Sequence, residues 1–432
     1  MVDHSPLRIG YIWQYETADT HLSSITAVSL HVRAVINEFE KRDHHVRIVT
    51  FYQNQPHWSE NLIDWQPVKP VVHKKAFRLL ESIWRGFQSR LHLPYFNLFE
   101  SYKFAVACKA ALSDCDILYE RFWMLASGGL IISQMLGIPI IYEVNGDIVE
   151  EYHQQGLKLS KIQWAAINLV TRYMFTTAGQ VVPVSQTLKE KIISRYRLRT
   201  DNISVIENGA RVDLFADPDQ DEIVSLSLEY ELGENLTIIF VGTFKPWHGI
   251  DLLVDAFGEV SKFHLKVKLI LVGDGPLMPE IENQVAALNL EDRVIFTGLL
   301  EHHKVPPILN LADIAVLNPR VSGASSAQSP LKLFEYMAAG KAIIAPKISN
   351  VERVLKDHES GLLVCPDNLE DLEAALIELL DDEQMRARLG QAARRQAIEN
   401  HSWSQTVSEI EAIMTELIKK PGLKKQSELA RN

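Results

Sequence analysis

The chain has 432 residues, of which 47% are hydrophobic, and this length favours two or more domains, each with its own core. The formal net charge of −11 excludes a general nucleic-acid-binding protein, because such proteins carry an excess of cations. Any phosphate-binding site must therefore be a local basic pocket within an acidic surface.

Cysteine usage and hydropathy bear on the compartment. Cys108, Cys115 and Cys365 show no metal-ligand spacing, and three cysteines leave one unpaired, which favours a reducing environment. No window offers the ~20 apolar residues that a bilayer span needs, and no signal-peptide pattern precedes Arg8. These features predict a cytoplasmic protein.

The N-terminal half alternates between strands and helices. It opens with a predicted strand at 8–13, a helix at 29–42 and a second strand at 45–51. Such alternation predicts the α/β class, with a parallel sheet covered by helices. Further strands are predicted at 116–121, 138–143, 180–184 and 203–207, and further helices at 123–136 and 158–176.

Two places in this half hold candidate site residues. Asn145 and Asp147 follow the strand 138–143, and open parallel sheets bind ligands at the carboxyl ends of their strands. Asp147 or Glu150 is there a candidate to orient a ligand hydroxyl. His31, near the start of the first helix, is a candidate to line the same cleft. A structural histidine and a surface-loop carboxylate are the open alternatives.

The segment 73–93 has the pattern of a basic amphipathic helix. Its apolar residues fall on one face of a helical wheel, and its cations fall on the other. The apolar set is Phe77, Leu80, Ile83, Trp84, Phe87 and Leu91, and the cations are Lys74, Lys75, Arg78 and Arg85. Such a helix can lie in an anionic membrane interface. A helix that packs on the core with a basic outer face is the alternative.

An acidic, proline-containing stretch, 216–235, predicts a linker between two domains. After it, a predicted strand at 236–241 leads through the turn 242–249 into a helix. A glycine turn between a strand and a helix brings backbone N–H groups and Lys245 to a position suited to a diphosphate. A solvent-exposed Lys245 is the alternative.

A helix start near Ser329 is a second candidate anion site. Ser329 suits the N-cap, Pro330 suits the first turn, and Gly340 supplies the stop. The unpaired N–H groups and the positive dipole end of such a helix attract a phosphate. Lys332 and Glu335 are three residues apart and share a face; a solvated ion pair is the alternative.

The run SPLKLFEYMAAGKAIIAP (329–346) resembles the nucleotide-sugar-binding segment of family 4 glycosyltransferases of the GT-B fold. The resemblance continues, in the family's order, in VSQTLKEKI (184–192), IENGARVDLF (206–215), FVGTFKPWHGIDLLVDAF (240–257), LVGDGPLMPEI (271–281), RVIFTGLL (293–300) and GLLVCPDNLEDLEAAL (361–376). It implies two Rossmann-like domains whose parallel sheets face each other across a cleft. It also implies a hexosyltransferase-like enzyme that moves a sugar, with retention and without a metal or other cofactor, from a nucleoside-diphosphate sugar to a hydroxyl acceptor.

Residue roles follow from the same resemblance. Lys245 and Lys332 would offset the diphosphate charge, Glu335 would hold the ribose, and the backbone at 298–299 would receive the base, which can be that of UDP or GDP. The implied donor-binding residues are Gly242, Thr243, Lys245, Gly298, Leu299, Ser329, Leu331, Lys332 and Glu335. The implied catalytic residues are Lys245, Glu335 and Asp147, and the acceptor-side residues are Asn145 and His31.

Several positions depart from the family pattern. Ala327 stands where the family has an acid eight residues before Glu335, and Thr243 and His248 stand where basic residues are common. Asn145 stands where many members have a histidine. These departures keep open a non-catalytic nucleotide-sugar-binding subunit or membrane scaffold, and the shared fold keeps open a sugar-nucleotide epimerase.

The predicted organisation has an acceptor-side domain at 1–215, the linker, a nucleotide-sugar-binding domain at 236–400, a helix at 401–420 that crosses back to the first domain, and a tail at 421–432. The expected partners are a nucleotide-sugar donor, a glycan or lipid-linked acceptor and, through 73–93, an anionic membrane surface. The protein would then work in the cytoplasm or on the cytoplasmic face of the membrane.

Overall fold

The structure is a computed structural model, and it describes residues 5–17, 27–52, 55–68, 75–90, 98–150, 160–318, 320 and 329–420. The chain divides into two compact units. The first runs to Glu207 and resumes at Val407, and the second is Asn208–Thr406. Of the residues singled out in the sequence, Lys74, Leu91, Ala327 and the predicted tail lie outside the described ranges.

The first unit is built on a seven-stranded sheet. Its strands are β1 (Arg8–Thr17), β2 (His45–Tyr52), β3 (Gln55–Ser59), β4 (Gln66–Pro67), β5 (Ile117–Arg121), β6 (Ile140–Val144) and β7 (Gln180–Pro183). They lie in the order β4-β3-β2-β1-β5-β6-β7. The strands from β2 to β7 in that order are parallel, whereas β3 and β4 add an antiparallel edge that the sequence pattern does not predict.

Helices cover both faces of this sheet. They are α1 (Ala27–Glu40), α2 (Lys75–Arg90), α3 (Leu98–Cys108), α4 (Gly128–Leu136), α5 (Lys161–Thr177) and α6 (Gln186–Tyr196). α1 lies in the connection from β1 to β2, which moves towards the β4 edge of the sheet. α2–α5 lie in the connections to β5, β6 and β7, which move towards the β7 edge. Because parallel crossovers are right-handed, α1 lies on one face and the layer α2–α5 lies on the other.

The second unit is built on a six-stranded parallel sheet. Its strands are β8 (Leu236–Val241), β9 (Val267–Val272), β10 (Val294–Gly298), β11 (Ile314–Val316), β12 (Ala342–Pro346) and β13 (Leu362–Val364), in the order β10-β9-β8-β11-β12-β13. Alternate side chains enter two cores, since Ile238 and Phe240 face one side of the sheet and Ile239 faces the other.

Helices also surround this second sheet. They are α7 (Val212–Ala216), α8 (Gln220–Glu229), α9 (Ile250–Val260), α10 (Met278–Ala287), α11 (Val305–Asn310), α12 (Leu331–Ala338), α13 (Ser349–Val354), α14 (Leu369–Asp381) and α15 (Glu383–Asn400). Both units are thus Rossmann-like, which confirms the predicted α/β class.

The division between the units precedes the predicted linker. The stretch 216–235 lies in the second unit and contains α8, whose N-cap Asp219 accepts the N–H groups of Asp221 and Glu222. The acidic run that suggested a linker therefore caps a helix. The predicted strand 203–207 is not a strand, because Ile203 makes only an isolated bridge with Val181.

The last helix, α16 (Trp403–Lys419), begins in the second unit and continues in the first. Its residues Val407, Ile410, Met414 and Leu417 are all buried. Within the first unit, Glu411 accepts a hydrogen bond from Arg42 at 3.0 Å, and its second oxygen lies 3.2 Å from His44 Nε2.

No helix in the described ranges is both long enough and apolar enough to cross a membrane.

Candidate functional site

In the second unit, the turns after β8 and β9 approach each other closely. Gly242 has a φ of 147°, and its N–H donates to the Val272 carbonyl at 2.9 Å. A Cβ on Gly273 would collide with the carbonyl oxygen of Gly242, so this approach requires glycine. The two strand ends form one backbone surface at the edge where parallel sheets bind ligands.

Lys332, in the first turn of α12, reaches this surface. A Cβ on Gly242 would lie 2.5 Å from Lys332 Nζ, and Nζ lies 4.2 Å from the centre of the Phe240 ring. Although the residue as a whole is only partly buried, its Nζ is inaccessible to solvent and has no hydrogen-bond partner among the described residues. Burial lowers the pKa of Lys332 to about 7, against the opposing influence of Glu335.

His248 packs beside Phe240 on the same turn. Its Nδ1 bonds the Thr243 carbonyl, and its ring centre lies 6.1 Å from that of Phe240. Burial, followed by the charge of Lys332, lowers the pKa of His248 to about 3, although the bond to Thr243 opposes the shift. The imidazole is therefore neutral at pH 7, and its Nδ1 carries the proton because a carbonyl can only accept.

Lys245 is partly buried, and its Nζ lies 5.0 Å from the centre of the Trp247 ring. This aromatic contact restrains the side chain without neutralising its charge. The alternative of a fully solvent-exposed Lys245 is therefore wrong, and so is the alternative of a solvated Lys332. The surroundings of the glycine turn thus combine two lysines with a neutral histidine, in a chain that is acidic overall.

The start of α12 differs from its predicted form in one respect. The N-cap is Pro330, with no side-chain cap bond, so the prediction that Ser329 caps this helix is wrong. Proline has no N–H and fixes its own φ, which suits the position just before the first helical residue. Ser329 is instead held through its carbonyl, which accepts a hydrogen bond from Asn208 Nδ2 at 2.9 Å. Gly340 follows the helix with a φ of 68°, as the predicted stop requires.

The other predicted donor residues lie on α12 or at the neighbouring strand ends. Glu335 follows Lys332 by one turn of α12 and is partly buried, as is Leu331. Gly298 ends β10, and its carbonyl accepts the Gly273 N–H at 2.9 Å, which ties it to the β9 turn. Leu299 is exposed.

In the first unit, a buried polar cluster lies at the carboxyl ends of β5 and β6. Glu143 Oε1 lies 2.8 Å from His31 Nε2 and accepts a hydrogen bond from the Tyr119 hydroxyl at 2.7 Å. Its other oxygen lies 3.8 Å from Arg121 Nη1. Burial alone would raise the pKa of Glu143, but His31, Arg121 and Tyr119 outweigh burial and lower it to about 2.

His31 is itself only 3% exposed. Its contact with Glu143 corresponds to the structural alternative, so the expectation that its side chain lines the cleft directly is wrong. His31 is nevertheless close to the predicted acceptor side, because its partner Glu143 precedes Asn145 by two residues.

The residues after β6 are also held internally. Asp147 is buried and pairs with Arg195, whose guanidinium lies 5.8 Å from the centre of the Trp164 ring. The alternative that Asp147 is a surface-loop carboxylate is therefore wrong. Asn145 is partly buried, and its side-chain N–H group has no hydrogen-bond partner in the described part of the chain.

Comparisons with known proteins agree with this geometry. The family model for Glycosyl transferases group 1 matches residues 228–396, and the model for Glycosyltransferase Family 4 matches residues 28–214. Together they span both Rossmann-like units. The chain is a family 4 glycosyltransferase of the GT-B fold.

The relatives of this glycosyltransferase have low sequence identity to it, but the matches cover most of the chain. The chain is 22% identical over 66% of its length to alpha-D-kanosaminyltransferase from Streptomyces kanamyceticus, of which the match covers 73%. It is 25% identical over 87% of its length to alpha-monoglucosyldiacylglycerol synthase from Streptococcus pneumoniae, of which the match covers 78%. Among solved structures, Anabaena Alr3699/HepE in complex with UDP and glucose shares the fold, with 17% identity, a TM-score of 0.67 and coverage of 95% and 99% of the two chains.

These matches indicate a glycosyltransferase that acts on sugar-nucleotide donors. They favour this function over the two alternatives, an epimerase and a non-catalytic subunit. The acid of the family pattern is absent at Ala327, and the segment 321–328 lies outside the described residues.

The sequence prediction does not include several of the residues that surround Glu143 and Asp147. Glu143, Tyr119, Arg121 and Arg195 become visible only when strands and helices far apart in sequence come together. A signal does exist for Glu143, since a carboxylate at the end of an otherwise apolar buried strand needs partners. The sequence identifies His248 only as a departure from the family pattern, whereas the structure shows that its ring bonds the Thr243 carbonyl within the glycine turn.

Proposed function

We propose that this glycosyltransferase moves a sugar from a nucleoside-diphosphate sugar to a glycan or lipid-linked hydroxyl acceptor, with retention and without a metal, in polysaccharide or glycoconjugate synthesis. The observation that carries the proposal is the buried Lys332 ammonium group, which lies against the glycine turn of β8 without a hydrogen-bond partner among the described residues. A buried cation of this kind destabilises the folded protein unless an anion binds beside it.

Breaking the bond between the sugar and the diphosphate places negative charge on the leaving group. Lys332, Lys245 and the N–H groups at the start of α12 are the donors that would stabilise this charge. His248 is neutral and adds no charge, but its bond to the Thr243 carbonyl holds the turn in shape. These protein groups would serve where other enzymes use a metal ion.

The rest of the donor would extend along the same strand ends. Glu335 would accept hydrogen bonds from the ribose hydroxyls, and Gly298 and Leu299 would receive the base through their backbone. Glu335 already raises the pKa of Lys332 against burial, so ribose and diphosphate recognition would be coupled through one face of α12. Retention would follow if the acceptor attacks from the face that the diphosphate leaves.

On the acceptor side, we assign Asn145 to the binding surface of the first unit, because its side-chain N–H group is buried without a hydrogen-bond partner among the described residues, and an acceptor hydroxyl would supply one. His31 and Asp147 act there as positioning residues. His31 holds Glu143 near the end of β6, while the pairing of Asp147 with Arg195 and its bond from the Glu150 N–H fix the segment that follows. Exclusion of water from the bound donor would limit its hydrolysis.

We also assign α2 to an anionic membrane surface on the cytoplasmic face. Phe77 and Trp84 of its predicted apolar face pack against Phe99 of α3, but Leu80, Ile83 and Phe87 are more than half exposed. The core-packing alternative therefore accounts for only one edge of the helix. One relative is named alpha-monoglucosyldiacylglycerol synthase, and a diacylglycerol is a membrane lipid, which suits an enzyme that works at a membrane.

Calorimetry with UDP and GDP, each with EDTA present, tests the donor site. We expect micromolar binding of one nucleotide, and loss of at least about tenfold in affinity in Lys245→Ala and Glu335→Ala, since hydrogen bonds to charged groups contribute about 1.5–3 kcal/mol. Transfer assayed with the matching nucleotide sugar, followed by NMR of the product's anomeric proton, tests retention. Binding that requires Mg²⁺, or an inverted product, would contradict the mechanism.

A further inference from the structure

A second exposed apolar stripe lies on α5. Ile162, Leu169 and Tyr173 are 60%, 71% and 55% exposed, and with Ala166 between them they follow the spacing i, i+4, i+7, i+11. This spacing places all four on one narrow face of a helix. The residues that α5 buries against the unit are Gln163, Ile167, Thr171, Met174 and Phe175. The stripe therefore points away from the sheet.

α5 lies in the same helix layer as α2, and specific contacts join adjacent helices of the layer. Phe77 of α2 packs on Phe99 of α3 with ring centres 5.4 Å apart, and Ser101 of α3 accepts the N–H of Ser127, the N-cap of α4, at 3.1 Å. Gln134 of α4 donates to the Tyr173 hydroxyl of α5 at 3.1 Å. The exposed residues of α2 and α5 thus lie on the solvent side of one continuous layer.

The layer has a charge opposite to that of the whole chain, whose formal net charge is −11. Among the side chains that the structure describes in α2–α5, cations outnumber acids. The cations are Arg85, Arg90, Lys103, Lys161 and Arg172, and the acids are Glu81 and Glu100. The sequence of α2 adds Lys75 and Arg78.

Neither acid presents a free negative charge. Glu81 is buried and lies 2.5 Å from Lys103 and 2.8 Å from Arg85, and Glu100 lies 2.8 Å from Arg85. α5 itself contains no acid. The outer surface of the layer is therefore apolar and cationic, the combination that binds an anionic lipid interface.

We propose that the layer α2–α5 is a single membrane-docking surface in which α5 makes a second hydrophobic contact with an anionic bilayer, separate from that of α2. This inference rests on the proposed function for the membrane contact of α2. Two contacts resist rotation about either helix, so the pair sets the orientation of the first unit on the lipid surface. The cations of the layer then lie at the depth of the lipid phosphates.

A bilayer fits this surface better than a second copy of the chain does. The α2–α5 layer of another copy is also cationic, so two such layers placed face to face would repel. An anionic bilayer meets both requirements at once, because its headgroups match the cations and its acyl boundary accepts the apolar residues. Tyr173, at one end of the α5 stripe, is a residue type that favours this interface.

The test is co-sedimentation with vesicles of phosphatidylcholine and phosphatidylglycerol in a roughly three to one ratio. The variant Ile162→Glu/Leu169→Glu disrupts the α5 stripe, and Ile83→Glu/Phe87→Glu disrupts the exposed face of α2. The matched control is Phe263→Glu/Leu265→Glu, which adds the same charge to the second unit. All six side chains are exposed, so the three variants should fold.

We expect the α5 and α2 variants each to weaken vesicle binding by at least about tenfold, because each replaces two membrane-contacting apolar residues with charges. The control should bind as the wild type does, and none of the variants should change nucleotide affinity. Equal weakening in the control would assign the effect to net charge alone and overturn the inference.

Three other outcomes would also overturn it. Full vesicle binding by the α5 variant, with binding lost in the α2 variant, would leave α2 as the membrane contact. Absence of vesicle binding by the wild type would overturn both membrane assignments, while nucleotide calorimetry would still judge the donor site. Light scattering that shows a dimer dispersed by the α5 variant would assign the stripe to a second copy.

Discussion

The two units have similar folds, but the polar clusters at the ends of their parallel strands are opposite in character. In the first unit, Glu143 is buried between His31, Tyr119 and Arg121, and its charge is met within the protein. In the second, the Lys332 ammonium is buried against the glycine turn, with no hydrogen-bond partner in the described part of the chain. The charge of Glu143 is paired within the protein, although its Oε2 and Arg121 Nη1 make no hydrogen bond in the described part of the chain, whereas the Lys332 ammonium has no hydrogen-bonded partner there.

The difference separates stability from binding. Removing one partner of a paired buried charge leaves the other uncompensated, so the loss should be seen in unfolding. A buried charge without a hydrogen-bonded partner costs stability, and that cost is recovered when an anion binds. Substitutions in the two clusters should therefore affect different measurements.

The largest effect is expected from Glu143→Gln. The amide cannot balance the charge of Arg121, so we expect a loss of about 3–5 kcal/mol in the free energy of unfolding, measured by denaturant titration at pH 7. Because the pKa of Glu143 is lowered from 4.5 to about 2, its contribution is present above pH 4.5 and disappears as the pH falls towards 2. The variant should lack this part of the acid transition, and its nucleotide affinity should not change.

Glu120→Gln is the matched control for that experiment. Glu120 lies on the neighbouring strand β5 and is equally buried, but burial raises its pKa well above the ordinary value. Burial thus favours the neutral form of this acid, and a neutral amide should cost less than about 2 kcal/mol. Equal losses in the two variants would mean that burial, and not charge pairing, sets the stability of this region.

Lys332→Met should give the converse result. Removal of a buried ammonium leaves the unfolding free energy unchanged or raised, whereas nucleotide affinity measured by calorimetry should fall by about 10- to 100-fold, the loss of a charge-assisted hydrogen bond. A variant of Lys332 that loses stability but binds normally would reverse the assignment.

Lys341→Met is the control for that substitution. Burial also lowers the pKa of Lys341, to about 8, but its Nζ donates to the Asn310 carbonyl at 2.8 Å. This variant should lose stability, because the hydrogen bond from the Lys341 ammonium to the Asn310 carbonyl is lost, and it should bind nucleotide normally.

The pH dependence of binding should follow from Lys332 as well. With a pKa of about 7 in the free protein, Lys332 is largely neutral at pH 8 to 9, and an anionic ligand must restore its proton. We expect nucleotide affinity to fall as the pH rises above 7, by up to about tenfold per pH unit, with proton uptake on binding. The contribution of Lys332 to the free energy of unfolding should instead increase as the pH rises from 7 to 10.5, because over this range the unfolded chain binds more protons than the folded chain.

Calorimetry in buffers of different ionisation enthalpy measures that proton uptake directly. Lys332→Met should bind weakly at every pH and take up no proton. Proton uptake that persists in Lys332→Met would assign it to another group.

The smallest effect is expected from Asn208→Ala. Asn208 is buried, and its Nδ2 holds the Ser329 carbonyl just before α12. Loss of one hydrogen bond, about 1 kcal/mol, should weaken nucleotide binding about fivefold through a misplaced helix start. Asn208→Asp, which keeps the size but cannot donate, should behave in the same way. Normal affinity in both would show that Pro330 alone fixes the start of α12.

The sequence predicts the two clusters unequally, for a physical reason. The cluster in the second unit depends on local chemistry, since a glycine turn and a proline-initiated helix can be recognised within short stretches, and Lys245 and Lys332 lie within them. The first cluster depends on distant contacts, because His31 and Glu143 are 112 residues apart in sequence. No local pattern pairs them, so the sequence predicts His31 as a candidate but not its partner.

The helix α2 shows the same limit. Its amphipathic pattern predicts where the helix lies, but not how much of the apolar face is covered, because that depends on α3. Phe77 and Trp84 pack on α3, while Leu80, Ile83 and Phe87 remain exposed. Side-chain periodicity describes one helix alone, whereas exposure depends on its neighbours.

The shared position of α16 has a consequence for how the protein is made. Its buried residues complete the first unit, and Glu411 joins Arg42 and His44 there. On the ribosome, the residues up to Glu207 emerge long before this helix. The first unit therefore cannot complete its core until α16 has been translated, almost two hundred residues after its own Glu207.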